Sequence, residues 1–519
     1  MPSQTTTRRT AITAGLALAI APGLARADAP VLTTAGPVRG LLEEGLHVFR
    51  GLRYGARPAR FEPPRPPPRW RDPAPAAAFG PASPQRGREP NQDEDCLFLN
   101  VWTPGLDAGR RPVMVYIHGG AYATGSGSDP LYDGAALARR GDVVVVTLNH
   151  RLGPLGYLYL GRLGPDAPDA GNAGMLDLVL ALRWVQANIA GFGGDPRKVI
   201  LFGQSGGGAK IATLMAMPVA KGLFHRAATM SGQQLTVSGP GNAHRRTLAL
   251  LQALKLSPAE AGQLRTLPWQ AIVEAAGATD PVIGQGALYF GPVLDERSLT
   301  RHPFYPDAPA QSAGIPMLIG GTKDETRNLI GGRDPGAFNL TWEDLPDRLA
   351  REMRVDIDPK LVINTYRGLY PDRTPSDIFF AATTASRSWR AGIVEAELRA
   401  AQGSPAHVYQ LDWQAPADGG KWGAPHMLDI PLVFGSLAAP GSLTGTGAEA
   451  RRVSEAMMDA FIAFARNGHP GHAGLPAWPP YSLRDRETMI VDAQCRVEND
   501  PRGAERRLFE KVPFIQQGT

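Results

Sequence analysis

Four short apolar runs set the frame of this chain. Val113–Ile117, Val143–Leu148, Val199–Phe202 and Ile315–Gly320 are almost unbroken by polar residues. Runs of this length, rich in Val and Ile, read as strands buried on both faces, which is the habit of parallel sheets covered by helices. Between them the period changes. Leu178, Leu182, Val185 and Ile189 recur at helical spacing over Asp177–Ala190. Arg226–Ser231, Val408–Trp413 and Thr488–Val491 add three further strands, and the alternation predicts an α/β fold around a mostly parallel sheet. Val31–Tyr54 is different: apolar and polar residues alternate, punctuated by Gly36, Gly40, Gly45 and Gly51, which predicts a small antiparallel meander.

Other stretches lack a clear period. Residues Arg57–Pro90 are rich in Pro, Arg and Ala and read as an irregular segment wrapped over the surface. Two long excursions of helical and loop character, about 234–314 and 327–405, interrupt the strand series. At the N-terminus, Arg8-Arg9 precede an apolar run from Ala11 to Leu24, and Ala25-Arg26-Ala27 offers a small-residue cleavage site. This predicts an export signal over residues 1–27, ahead of a single domain over 28–519. Thr7–Ile12 also resembles a twin-arginine signal, without the phenylalanine usual two places after the pair. Past that segment no run of 18 apolar residues occurs, so no membrane span is expected.

Composition changes this picture little. The 519 residues carry a net charge of +5, with arginines spread along the chain rather than gathered in a block, so nucleic acid is not an expected partner. Export to an oxidising compartment would suit disulfides, but there are two cysteines, Cys96 and Cys495, and the sequence leaves open whether they pair.

The candidate chemistry lies at Gly203-Gln204-Ser205-Gly206-Gly207, directly after the strand ending at Phe202 and before the helical Ala209–Met215. A serine on a tight strand-to-helix turn is held exposed, and the helix N-terminus behind it offers free N–H groups to an oxyanion. Such a nucleophile needs a base, an acid that orients the base, and oxyanion donors; where the serine sits on this kind of strand-to-helix turn in an α/β sheet, the acid and then the base come later in the chain. Of ten histidines, four follow the strand at 315–320 and its acidic pair. His407 lies inside a strand pattern, and His469 and His472 lie in a Gly/Pro loop. His426 follows a core strand in Gly423-Ala424-Pro425-His426, where a base would reach the top of the sheet. For the acid, Asp324 and Glu325 are both in position, and their spacing does not separate them. His118-Gly119-Gly120-Ala121, at the end of a strand, together with the N–H of Gly206, supplies candidate oxyanion donors. No HExxH or paired His/carboxylate spacing appears, so neither metal nor cofactor is expected.

These residues resemble the type-B carboxylesterase family, the cholinesterase-like branch of the α/β-hydrolases, in its bacterial form. Phe192–Gly207 resembles the family's serine signature, and Glu94-Asp95-Cys96-Leu97-Phe98-Leu99-Asn100-Val101-Trp102-Thr103-Pro104 its second signature. Further likeness runs from Arg50–Tyr54 through Asn149–Gly153 and Phe224–Arg226 to Phe464–Gly468. The resemblance implies an α/β-hydrolase fold with a gorge walled by the two excursions. It implies Ser205 as nucleophile, Glu325 as acid, His426 as base, and Gly120, Ala121 and Gly206 as oxyanion donors. It also implies that Arg151 with Asp177, and Arg60 with Glu94, are structural ion pairs.

Four departures narrow the expectation. Gln204 stands where the family often has Glu, removing a negative charge beside the nucleophile. No cysteine lies between Asp28 and Asp95 to pair with Cys96, the tryptophan that grips choline is missing, and Thr326 replaces the usual glycine after the acid. The expected protein is therefore an exported serine hydrolase of small, uncharged carboxylic esters. Cleavage of an amide or carbamate by the same triad, and a non-catalytic binding role, are the alternatives.

Overall fold

The computed structural model describes residues 25–26, 29–87, 89–164 and 166–519. The segment expected to be an export signal lies outside the described residues, apart from the backbone of Ala25–Arg26. The architecture is α/β, built on one 12-stranded sheet. In chain order its strands are β1 (Ala25–Arg26), β2 (Leu41–Glu43), β3 (Leu46–Arg53), β4 (Phe98–Thr103), β5 (Arg111–Ile117), β6 (Val144–Leu148), β7 (Gly194–Gln204), β8 (Arg226–Met230), β9 (Met317–Thr322), β10 (Ala406–Leu411), β11 (Glu487–Val491) and β12 (Arg496–Asn499). Across the sheet they run β1-β2-β3-β4-β6-β5-β7-β8-β9-β10-β11-β12. The seven from β6 to β11 are parallel, and antiparallel strands flank them on both sides.

The apolar runs explain the two cores. Val113, Val115 and Ile117 of β5 point into one hydrophobic cluster, and Met114 and Tyr116 into the other. On β7, Val199 and Leu201 take the first face, Ile200 and Phe202 the second. A strand that must be apolar at every position has helices on both sides. The first face is covered by α1 (Ala173–Asn188), α2 (Gly206–Ala216) and α5 (Arg390–Ala401), the second by α6 (Asp429–Phe434) and α7 (Ala448–Asn467). Two further helices, α3 (Glu325–Leu329) and α4 (Pro375–Thr384), follow β9, and α4 contributes Ile378 and Phe379 to a third, smaller cluster. Among the described residues one helical stretch, Ala170–Phe192, has the length and apolarity to cross a membrane. It contains α1, and its apolar window is 61% buried in the fold.

Val31–Tyr54 is antiparallel but divided between two sheets. Val31–Leu32 and Pro37–Arg39 pair with each other and, through Ala74–Pro75, form a separate three-stranded sheet. β2 and β3 instead extend the large sheet alongside β4. The break falls at Gly40, where a Cβ would lie 2.5 Å from the Val48 carbonyl oxygen.

Candidate active site

β7 ends at Gln204 and α2 begins at Gly206, so Ser205 alone makes the turn. Its φ of 54° and ψ of −125° are unfavourable for a side-chain-bearing residue, and the surrounding packing enforces them. Ser205 N–H donates to the Met230 carbonyl on the adjacent β8 at 2.7 Å. A Cβ on Gly207 would come 1.9 Å from the Ile117 carbonyl oxygen, and one on Gly206 2.1 Å from that of Ala121. The turn thus presses backbone to backbone against the loop after β5. This contact brings Gly206 beside Gly120 and Ala121, whose φ values of 78° and 54° fold that loop back. Among the described residues, no backbone acceptor engages the N–H groups of Gly120, Ala121 or Gly206.

A lysine supports this loop from below. Lys210, one turn into α2, is fully buried, and its Nζ donates to the carbonyls of Ala121 (2.6 Å) and His118 (3.3 Å). It also lies 5.1 Å from the centre of the Tyr122 ring. Burial pushes its amine down to about 7. The rings of His118 and His150 stack nearby, 4.9 Å apart. Burial, reinforced by the nearby Lys210, pushes His118 down to about 3 and depresses His150 as well, so both imidazoles are neutral.

The acidic pair divides its work. Glu325, at the start of α3 and buried, takes the Thr322 N–H on Oε1 at 3.0 Å and meets His426 Nδ1 with Oε2. Asp324 instead accepts the Ala424 N–H at 3.0 Å and donates its own N–H to the Ala424 carbonyl at 2.9 Å, holding the loop that carries His426. Asn328, one turn further along α3, clamps the His426 backbone on both sides. Its Nδ2 donates to the His426 carbonyl (2.8 Å) and its Oδ1 accepts the His426 N–H (3.1 Å). The carboxamide nitrogen of Gln204 lies 3.1 Å from His426 Nε2. Thr326 has a structural use: its hydroxyl meets the Phe380 carbonyl (2.9 Å) and Thr383 (2.8 Å), tying α3 to α4.

Ser205, His426, Gly206 and Ala121 line one cavity of about 220 Å³. Arg354 and Arg387, from the second excursion, line it too. The other late histidines are elsewhere: His407 on β10 packs edge-on to His469, with ring centres 4.6 Å apart, and His472 Nε2 lies 3.1 Å from the Ala456 carbonyl. Arg151 and Asp177 form a buried pair at 2.6 Å, and Arg60 meets Glu94 at 2.6 Å, both away from the cavity. Cys96 and Cys495 are free thiols, packed in opposite cores.

A sheet of this topology, with a strained serine after β7 and a Glu–His pair on the loops after β9 and β10, defines an α/β-hydrolase. The carboxylesterase family model matches residues 27–509, and the chain belongs to that family. It is 37% identical to the para-nitrobenzyl esterase of Bacillus subtilis over 92% of this chain and 98% of that protein. It is 35% identical to the phenmedipham hydrolase of Pseudarthrobacter oxydans, over 90% and 96% of the two chains. A carboxylesterase structure from Geobacillus stearothermophilus superposes with a TM-score of 0.83 at 38% identity, covering 92% of this chain and 99% of that one. The protein is a carboxylic ester hydrolase.

Proposed function

We propose that hydrolysis proceeds through an acyl-enzyme on Ser205. His426, with Nδ1–H donating to Glu325, takes the serine proton at Nε2 as Oγ attacks the ester carbonyl. The carbonyl oxygen becomes an oxyanion held by the N–H groups of Gly120, Ala121 and Gly206. The C–O bond to the alcohol breaks, and the imidazolium returns the proton to the departing oxygen. Water then attacks the acyl-enzyme, giving its proton to His426, and the acid leaves as Ser205 recovers its hydrogen. Glu325 keeps the proton on Nδ1 and stabilises the imidazolium. One observation carries the reading: a serine in a strained turn and the imidazole of His426, backed by Glu325, open to one cavity beside three N–H groups that meet no backbone acceptor among the described residues. For Nε2 to reach Oγ, the Gln204 carboxamide must release it as substrate binds.

Tyr289, Leu329, Arg354 and Arg387 on the cavity wall come from the two excursions, which supports their role as gorge walls on a single domain. The twin arginines and apolar run before Asp28 support export. A fluorophosphonate probe tests the chemistry. Adduct on the peptide containing Ser205, with activity lost in step, is expected; full labelling elsewhere, or activity that survives it, refutes the assignment.

A further inference from the structure

The described lining of the catalytic cavity contains two guanidiniums, Arg354 and Arg387, and no aspartate or glutamate. The same two arginines also line a second cavity of about 760 Å³, so they stand where the two meet. Arg387 lies in a π-helical turn, Ala385–Trp389, inserted between α4 and α5. Such turns interrupt regular helix bonding and aim side chains away from the helix register, often at functional sites. Its Nη1 lies 3.3 Å from Glu352 Oε2. Arg354 donates to no group among the described residues.

The fully buried guanidiniums of the fold are occupied. Arg151 faces Asp177, Arg246 faces Asp280, and Arg399 donates to the Ser312 and Ile315 carbonyls. Confining a cation without a partner is costly, and a second cation beside it adds to the cost. Burial, with repulsion from Arg387, pushes Arg354 down to about 9, which leaves it charged at neutral pH. An anion placed between the two would relieve both effects. The floor of the site agrees: Gln204, beside the nucleophile and 1% exposed, brings no negative charge to repel it.

We propose that Arg354 and Arg387 form a carboxylate-recognition subsite, and that the preferred substrates are esters bearing a free carboxylate remote from the scissile bond, such as half-esters of dicarboxylic acids. This rests on the Ser205 esterase reading and replaces the expectation of an uncharged substrate. The planar guanidinium forks match a carboxylate bidentately, and the partly dry site strengthens the contact.

The test compares kcat/KM for mono-p-nitrophenyl adipate and p-nitrophenyl hexanoate on the full chain at low salt. The wild-type protein is expected to prefer the anionic ester by about tenfold or more, and Arg354→Gln to lower that ratio about tenfold, mainly through KM. Arg354→Lys, which keeps the charge but loses the bidentate fork, should give a ratio between those of the wild-type protein and Arg354→Gln. A wild-type ratio at or below one, or a ratio unmoved in both Arg354→Gln and Arg387→Gln, overturns the subsite. Inhibition of hexanoate hydrolysis in the wild-type protein needs no variant. Adipate should inhibit about tenfold more strongly than adipamide, and equal inhibition overturns the proposal. Absence of hexanoate turnover together with an unlabelled Ser205 would instead remove the esterase mechanism beneath it.

Discussion

Lys210→Met isolates the contribution of a buried cation to the oxyanion loop. Among the described residues Lys210 has no carboxylate partner; its Nζ is satisfied by the carbonyls of Ala121 and His118. Removing the amine loses two bonds of the charge-assisted kind, about 1.5–3 kcal/mol each, and leaves the Ala121 carbonyl without its donor. It also removes a buried positive charge, so the two changes oppose one another. Net stability at pH 7 should therefore move by less than about 2 kcal/mol, since methionine fills similar space. The pH dependence separates the terms. The amine is depressed to about 7 in the fold, whereas it titrates near ~10.4 unfolded. Between these values the unfolded chain binds one more proton than the native state, so stability from this group rises with pH. The penalty is fully present below about pH 7, and the slope approaches about 1.4 kcal/mol per pH unit between the two values. Urea unfolding at pH 6.5 and pH 9 should show a smaller rise in the variant than in the wild-type protein. Kinetically, the loop keeps its N–H groups but loses its support, so kcat should fall about 10- to 100-fold with little change in KM. A variant with kcat within twofold of wild type and an unaltered pH dependence would refute the reasoning.

Three further outcomes follow from the same geometry. Glu325→Gln should lower kcat by about 10²- to 10⁴-fold at nearly constant KM, because the amide disturbs the His426 tautomer; steady-state kinetics on a p-nitrophenyl ester reads it directly. Asp177→Asn should cost about 3–5 kcal/mol in urea unfolding by leaving Arg151 as an unpaired buried charge, while kcat per folded molecule stays near wild type. Thiol titration should find two reactive sulfhydryls in denaturant, with the buried Cys96 protected in the native state, and activity should be insensitive to reductant.

The parts of this fold that could be read from sequence are those set by neighbours along the chain. A run such as Val113–Ile117 must be buried on both faces, and the turn at Ser205 needs small residues within a few positions. What escaped depends on direction and on distant contacts. Asp324 and Glu325 differ by one residue; only the path of β9 into α3 aims one at the imidazole and the other at the Ala424 backbone. Lys210 reads as an ordinary polar residue in a helix, and nothing local shows that the loop after β5 lies on top of it. Asn328 follows Glu325 by three positions, which places it near the same helix face, but its partner is backbone 98 residues away. Arg354 and Arg387 belong to an excursion without clear periodicity, where a charged side chain is ordinarily solvated. Their arrival in the cavity that Ser205 lines is produced by packing across the whole domain.

The central claim, that Ser205 is the nucleophile of an ester hydrolase, is met most directly by measuring p-nitrophenyl ester hydrolysis, acetate to octanoate, by the wild-type chain and by Ser205→Ala. The wild-type protein should turn over at least part of the series, and the variant, folded to the same circular dichroism spectrum, should lose kcat by several orders of magnitude. Turnover in Ser205→Ala close to that of the wild-type protein would contradict the account.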